Sequence, residues 1–158
     1  VILADHGFHL GERNRFRKST LWEQVANVPF VIHDPSRPRP LNIRDPNAVI
    51  DVGPTVLDYA GLPPLADSPG ISLRPVVEGE RRADRAIPTF NHDSIGIRKG
   101  KFRLIRYADG STQLFNVAND WWQMTDLGQE HEAFAPMMKA LLDTARLYGL
   151  DIQQTLAA

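Results

Sequence analysis

The sequence predicts an α/β fold that continues into a small α+β subdomain, with an antiparallel β-meander and a C-terminal helix. Two continuous apolar runs, VILA at 1–4 and VPFVIH at 28–33, are typical of buried strands, and we expect the first to be parallel. From residue 86 the apolar stretches become short and alternating, separated by Gly or Asp-Gly. Between 131 and 148 the apolar residues recur at helical spacing.

The first strand is followed by a polar segment at 5–19 that contains two glycines and is therefore expected to be a loop. A short helix is predicted at 20–26, with Ser19 or Thr20 as its N-cap and Glu23 three or four residues later.

Loops and short helices dominate the region after the second strand. Residues 34–46 are rich in proline and predict a surface loop. Residues 49–50 are expected to form a third short strand. PTVLDYA at 54–60 predicts a helix with proline in its first turn and Gly61 as its stop, and 73–78 predicts one or two further helical turns.

The second half begins with the predicted meander. Its strongest turn signal is Ala-Asp-Gly-Ser at 108–111, which is typical of a hairpin. The last helix is predicted at 131–148, where Pro136 fits only in the first turn. Its predicted apolar face comprises Phe134, Met138, Leu141, Leu142, Ala145 and Tyr148.

Composition limits the possible functions. The length of 158 residues suits one domain, and 42% hydrophobic residues are enough for a core. A net charge of −1 gives no basic field for nucleic acid, so no nucleic-acid partner is expected. No apolar run approaches the roughly 18 residues of a membrane span. With no cysteine, the segment has no disulfide, thiolate metal site or cysteine nucleophile.

The polar loop carries the residues with the most evident chemistry. Asp5 and His6 follow the first predicted strand, where open α/β sheets bind ligands, and a carboxylate beside an imidazole could bind a cation. Two ligands are too few for a metal site, so others must come from elsewhere. Lys18 and the arginines before it could hold an anionic substrate, although such charge runs are usually solvated. His9 is either a pocket residue or a solvated loop histidine.

Four blocks in this order resemble the sulfatase family of the alkaline phosphatase superfamily, and most of all its iduronate-2-sulfatase-like branch. The first is ADHGFHLGERNRFRKSTLWEQVANVPFVI at 4–32. The others are VIDVGPTVLDYAGLP, GISLRPVVEGE and IRKGKFRLIRYADGSTQLFNVANDWWQMTDLG. Together they cover nearly the whole chain, and the ordered set is more specific than any one block.

The resemblance implies roles for individual residues. Asp5 would be a ligand of a divalent cation, usually Ca²⁺, and His6 would take the next ligand position, which is Asn in many sulfatases. Because calcium prefers oxygen ligands, the imidazole of His6 leaves the softer Mn²⁺ open, and Mg²⁺ is a further alternative. Lys18 would contact the sulfate oxygens and stabilise the leaving oxygen. His9 and His92 are further candidates for substrate contact, the latter because the family's C-terminal subdomain borders the substrate pocket.

The chain departs from the family pattern at the nucleophile. The family uses a formylglycine made from Cys or Ser in C-x-P-x-R or S-x-P-x-R. Here the nearest serine segment, SRPRP at 36–40, has its arginine one place too early and lies after the metal pair. We therefore expect the nucleophile, the general acid and the remaining carboxylate ligands before Val1. The segment would need this N-terminal part of its own chain, and alone it would show no turnover.

The resemblance implies the C-terminal part of a sulfatase that hydrolyses esters of a sulfated small molecule or sulfated glycan. Residues 1–85 would end the catalytic domain, with the metal- and sulfate-binding loop at 5–18, and 86–158 would form a C-terminal subdomain. Two alternatives stay open. One is a phosphonate monoester or phosphodiester hydrolase of the same superfamily, and the other is a catalytically inactive sulfatase-like fragment.

Overall fold

The computed structural model describes residues 1–37 and 40–150. Residues 38–39 and 151–158 lie outside the described part, and with them the arginine of the serine segment at 36–40. The helices are α1 (Glu23–Ala26), α2 (Val52–Tyr59), α3 (Arg74–Val77) and α4 (Phe134–Leu147). The strands are β1 (Ile2–Leu3), β2 (Phe30–Val31), β3 (Ala86–Asn91), β4 (Ser94–Lys99), β5 (Phe102–Arg106) and β6 (Thr112–Asn116).

The predicted meander and C-terminal helix are confirmed. Strands β3 to β6 pair in sequence order, each antiparallel to the next. The predicted hairpin joins β5 to β6, and Gly110 takes a φ of 83° in its turn, a conformation that glycine adopts at little cost. Helix α4 packs on one face of this sheet. The buried contacts between them involve Ile95, Ile97, Leu104, Leu114, Met137, Leu141 and Ala145.

The opposite face of the meander is covered by the residues around the start of α1. Leu21 and Trp22 pack against Ile105, Phe115 and Val117. The rings of Trp22 and Phe115 have centroids 5.3 Å apart. This packing holds the polar loop that follows β1 against the sheet, although the two are far apart in sequence.

Three local predictions about the first half are wrong. β1 and β2 pair antiparallel, not parallel, because the loop and α1 return the chain alongside β1 in the reverse direction. The expected burial of β1 is also wrong, since Ile2 is 73% exposed. The apolar run at 1–4 therefore predicted the strand correctly, but not its burial or its direction. The expected strand at 49–50 is a 3₁₀ turn, Val49–Asp51, in which the Asp51 carboxylate accepts a hydrogen bond from the Ala48 amide.

Asp51 also joins two later parts of the chain. Its fully buried carboxylate pairs with both terminal nitrogens of Arg85, at 2.6 and 2.7 Å, and accepts the Ile71 amide at 3.0 Å. Helix α2 begins directly after it, with Pro54 in the first turn and Gly61 after its end as predicted. Among the described residues, no helix is both long and apolar enough to cross a membrane.

Candidate active site

The turn after β1 places the side chains of Asp5 and His6 side by side. Asp5 Oδ1 accepts a hydrogen bond from the His6 amide at 3.0 Å, and Oδ2 lies 3.7 Å from His6 Nε2. The Asp5 side chain is 88% exposed, so most of its carboxylate is open to a ligand. The sequence-predicted pair is therefore formed locally, by two adjacent residues at the end of a strand.

Lys18 completes this group from the far end of the loop. Its Nζ lies 2.9 Å from His6 Nε2, while His6 Nδ1 lies 2.8 Å from the Gly7 carbonyl oxygen. A carbonyl can only accept, so Nδ1 carries the proton and Nε2 offers its lone pair. The lysine ammonium donates to that lone pair. The structure thus brings together three of the predicted site residues. Of these, His6 and Lys18 are twelve residues apart in sequence.

The three side chains open into a cleft of about 380 Å³. Its opposite wall is the end of β3, from Thr89 to Asn91, so the meander contributes to the same cleft. A larger cavity of about 1470 Å³ borders residues 30–37 and 40–50 and the meander, but none of Asp5, His6 and Lys18 lines it. The smaller cleft is the candidate site because it holds the reactive groups.

The side chain of His9 belongs to the same loop but is not among those that line this cleft. Its side chain is fully buried, and Nε2 is 2.9 Å from Thr20 Oγ1. Burial lowers the pKa of His9 below its ordinary value, although the nearby Glu12 carboxylate opposes that shift. His9 is therefore not the solvated histidine of the alternative interpretation, and its position favours a structural contact over direct contact with a substrate. The expected cap by Ser19 or Thr20 is wrong, because α1 begins at Glu23 and its N-cap position is Trp22.

His92 is exposed in the turn between β3 and β4 and is not among the residues that line the cleft. Its neighbour Asn91 does line the cleft, and the side-chain amide nitrogen of Asn91 donates to the Ser19 carbonyl at 2.6 Å. At this strand end the His92 imidazole was predicted to contact the substrate, whereas the neighbouring side-chain amide of Asn91, which was not predicted, lines the cleft. No signal in the sequence separated the two, because only the fold shows that β3 ends at Asn91 and that His92 lies in the turn with a φ of 50°.

Gly7 keeps the Asp-His pair close to α1. A Cβ at this position would meet the Gln24 carbonyl oxygen at 2.6 Å and the Val25 Cα at 3.0 Å, both backbone atoms that cannot rotate away. We expect Gly7→Ala to destabilise the intact protein by about 1–3 kcal/mol, measured by urea unfolding. Gly53→Ala is the matched control, because its Cβ would meet only the end of a leucine side chain at 3.4 Å. Equal stability of the two variants would contradict the prediction.

The side chains of Asp5 and His6 are of the kinds that bind divalent cations. Asp5 supplies an open carboxylate and His6 an imidazole lone pair, and both are common ligands of such ions. The backbone carbonyl that fixes the His6 tautomer is the kind of outer contact that orients histidine ligands. Within 1–37 and 40–150, no group of three or more His, Asp or Glu could hold a metal. The pair fits part of a metal site.

Buried ion pairs anchor the loop to the meander. Glu23 at the start of α1 accepts from Arg103 at 2.6 Å and from Arg98 at 3.3 Å. Burial alone raises the pKa of the Glu23 carboxyl, but the charges of Arg103 and Arg98 outweigh it and leave that pKa below its ordinary value. The Glu23 amide also donates to the buried Gln123 side chain at 2.6 Å. The position of Lys18 and His6 therefore depends on the meander.

The fold is shared with solved proteins. One was solved in complex with its substrate, D-glucosamine-2-N,6-O-disulfate. It is 24% identical, with a TM-score of 0.72 over 93% of this chain and 34% of that chain. This likeness shows that the two chains share a fold.

The family follows from the sequence match. The family described as N-sulphoglucosamine sulphohydrolase, C-terminal, matches residues 11–147, and the chain belongs to it. A sulfatase of Formosa agariphila is 31% identical over 122 residues, which cover 76% of this chain and 24% of the relative. A choline-sulfatase of Rhizobium meliloti is 32% identical over 139 residues, covering 82% of this chain and 27% of the relative. The chain spans about a quarter of the length of these relatives.

Proposed function

We propose that the intact protein is a sulfatase that hydrolyses sulfate esters, and that this chain is its C-terminal part. The observation that carries the proposal is the cleft in which Lys18, His6 and Asp5 meet. Membership of a sulphohydrolase family supports it. In this proposal residues 1–85 end the catalytic domain and 86–158 form a C-terminal subdomain, and the iduronate-2-sulfatase-like branch stays a prediction.

Asp5 and His6 would be two ligands of a divalent cation, Ca²⁺ first and Mn²⁺ or Mg²⁺ next. Bound there, the cation would polarise the sulfate group. The Gly7 carbonyl holds the His6 ring with Nε2 directed outward, so no rearrangement of the ring is needed. A formylglycine nucleophile and the remaining ligands would come from before Val1.

Lys18 would bind the anionic group directly. In the structure its ammonium donates to His6 Nε2, and on metal binding that lone pair would be taken by the cation. The ammonium would then be free to donate to the sulfate oxygens and to offset the negative charge that develops on the leaving oxygen. Both the sulfate of a small molecule and that of a glycan suit this arrangement.

A second candidate function is hydrolysis of a phosphonate monoester or phosphodiester. The observation that favours it is the imidazole of His6, because a nitrogen ligand suits softer metals such as Mn²⁺ better than Ca²⁺. Assays of the intact protein with 4-nitrophenyl sulfate, choline sulfate and a phenylphosphonate ester, each with Ca²⁺ or Mn²⁺, separate the two functions.

The first test is to sequence the coding DNA upstream of Val1. We expect C-x-P-x-R or S-x-P-x-R there, preceded by a pair of aspartates that could complete the metal site. A start codon or an unrelated domain directly upstream would contradict the proposal, because the chain could not then assemble a complete site. That result would favour the inactive sulfatase-like fragment.

A further inference from the structure

The backbone after Lys18 adopts a conformation that serine rarely takes. Ser19 has a φ of 66°, in the left-handed region where a Cβ meets the backbone. Such residues persist only where surrounding contacts hold them, and they concentrate at functional sites. The residue directly before this position is Lys18, whose ammonium reaches His6.

Contacts on both sides of Lys18 hold this conformation. The Arg17 carbonyl accepts the His9 amide at 3.0 Å, and Thr20 Oγ1 lies 2.9 Å from the buried His9 ring. The Ser19 carbonyl accepts the Asn91 side-chain amide at 2.6 Å. The first two contacts are made within the loop, whereas the third comes from β3, 72 residues later.

We propose that Asn91 is a positioning residue that holds the left-handed Ser19 backbone and thereby directs Lys18 toward His6 in the cleft. Asn91 acts through Lys18 and does not itself bind the sulfate. The inference deepens the proposed function, on which it rests, by adding a residue of the meander to the site. The carboxamide matters at this position because its N–H group donates to the Ser19 carbonyl, which the carboxylate of an aspartate of the same shape could not do.

The test uses the intact protein and a sulfate ester that it hydrolyses, such as 4-nitrophenyl sulfate. Asn91→Asp keeps the shape of the side chain but replaces the donor with an acceptor, which would face the Ser19 carbonyl oxygen. We expect kcat to fall about tenfold or more with little change in KM, because small displacements of a catalytic group are costly in the transition state. The matched control is Asn116→Asp at the end of β6, which should keep the wild-type kcat.

Two double variants separate positioning from a general loss of structure. N91D/S19G should recover most of the lost activity, because glycine adopts a positive φ without a holding contact. N91D/K18A should be no less active than K18A alone, because Asn91 acts through the lysine. A wild-type kcat in N91D, no rescue by glycine, or a full additional loss in the K18A background would each overturn the inference.

A crystal structure of N91D gives a reading that does not depend on activity. We expect Ser19 to leave the left-handed region and the Lys18–His6 contact of 2.9 Å to open beyond hydrogen-bonding distance. An unchanged Ser19 and an unchanged contact would overturn the inference. If the wild-type protein hydrolyses no sulfate ester, the proposed function fails, and this structure still decides the role of Asn91.

Discussion

Replacing Lys18 with alanine in the intact protein is expected to lower kcat for sulfate ester hydrolysis by about 100- to 1000-fold. The lysine ammonium is 2.9 Å from His6 Nε2 in the cleft, and the substitution would leave the transferring sulfate without this cation. Because the charge it offsets develops in the transition state, the loss should fall mainly on kcat. Steady-state kinetics over a range of substrate concentrations measure the two parameters separately.

Lys139→Ala is the matched control for this variant. Lys139 lies on α4, is 77% exposed and pairs with Asp143 in the same helix. It should retain the wild-type kcat and KM. If K18A were as active as K139A, Lys18 would not act on the sulfate group, and the assignment of the cleft as the catalytic site would lose its main support.

Glu23→Gln is expected to lower the free energy of unfolding by about 3–5 kcal/mol. The substitution preserves the size of the side chain but leaves the buried guanidinium group of Arg103 and the partly buried one of Arg98 without a counter-charge. Arg103 is only 3% exposed, so water can do little to replace the lost carboxylate. Urea unfolding of the intact protein measures the effect.

The control is Glu80→Gln, since Glu80 pairs with Arg82 at the surface and its side chain is 50% exposed. Surface pairs of this kind contribute little, so E80Q should unfold at nearly the wild-type urea concentration. Equal stability of E23Q and E80Q would mean that the guanidinium groups of Arg103 and Arg98 are satisfied without Glu23.

The effect of E23Q should depend on pH in a defined direction. The pKa of Glu23 is lower in the folded protein than its ordinary value of 4.5. The stability that the charged carboxylate contributes is therefore complete above pH 4.5 and is lost as the pH falls through the folded-state pKa. The difference between wild type and E23Q should shrink below pH 4.5, and a difference that grows there would contradict this assignment.

The part of the fold that could be predicted from sequence is the part with local pairing. The meander is a succession of neighbouring strands joined by short turns, so alternation and Asp109-Gly110 were enough to predict it. The direction of β1 against β2 could not be predicted in this way. The two strands pair over only two residue pairs, and an apolar run carries no information about the direction of its partner.

The candidate site shows the same division. Asp5 and His6 are adjacent in sequence, and Lys18 lies in the same loop, so they meet in one cleft through local contacts, while the roles predicted for them stay predictions. The contribution of Asn91 depends on a contact across 72 residues and on the positive φ of Ser19. Neither has a signature in a single sequence, because serine gives no local indication of a left-handed conformation.

The contacts that hold the α1 segment have a consequence for the order in which the protein matures on the ribosome. Glu23 meets Arg98 and Arg103 across 75 and 80 residues, and its amide meets Gln123 across 100. The loop that carries Asp5, His6 and Lys18 is therefore synthesised long before the residues that secure it. Because β3 to β6 pair with their neighbours, they can form quickly once they emerge, at a low cost in loop closure. The nascent chain would therefore form its cleft only after the meander has been synthesised and has packed against the loop. A truncation within the meander should then abolish the cleft, although the loop itself is complete.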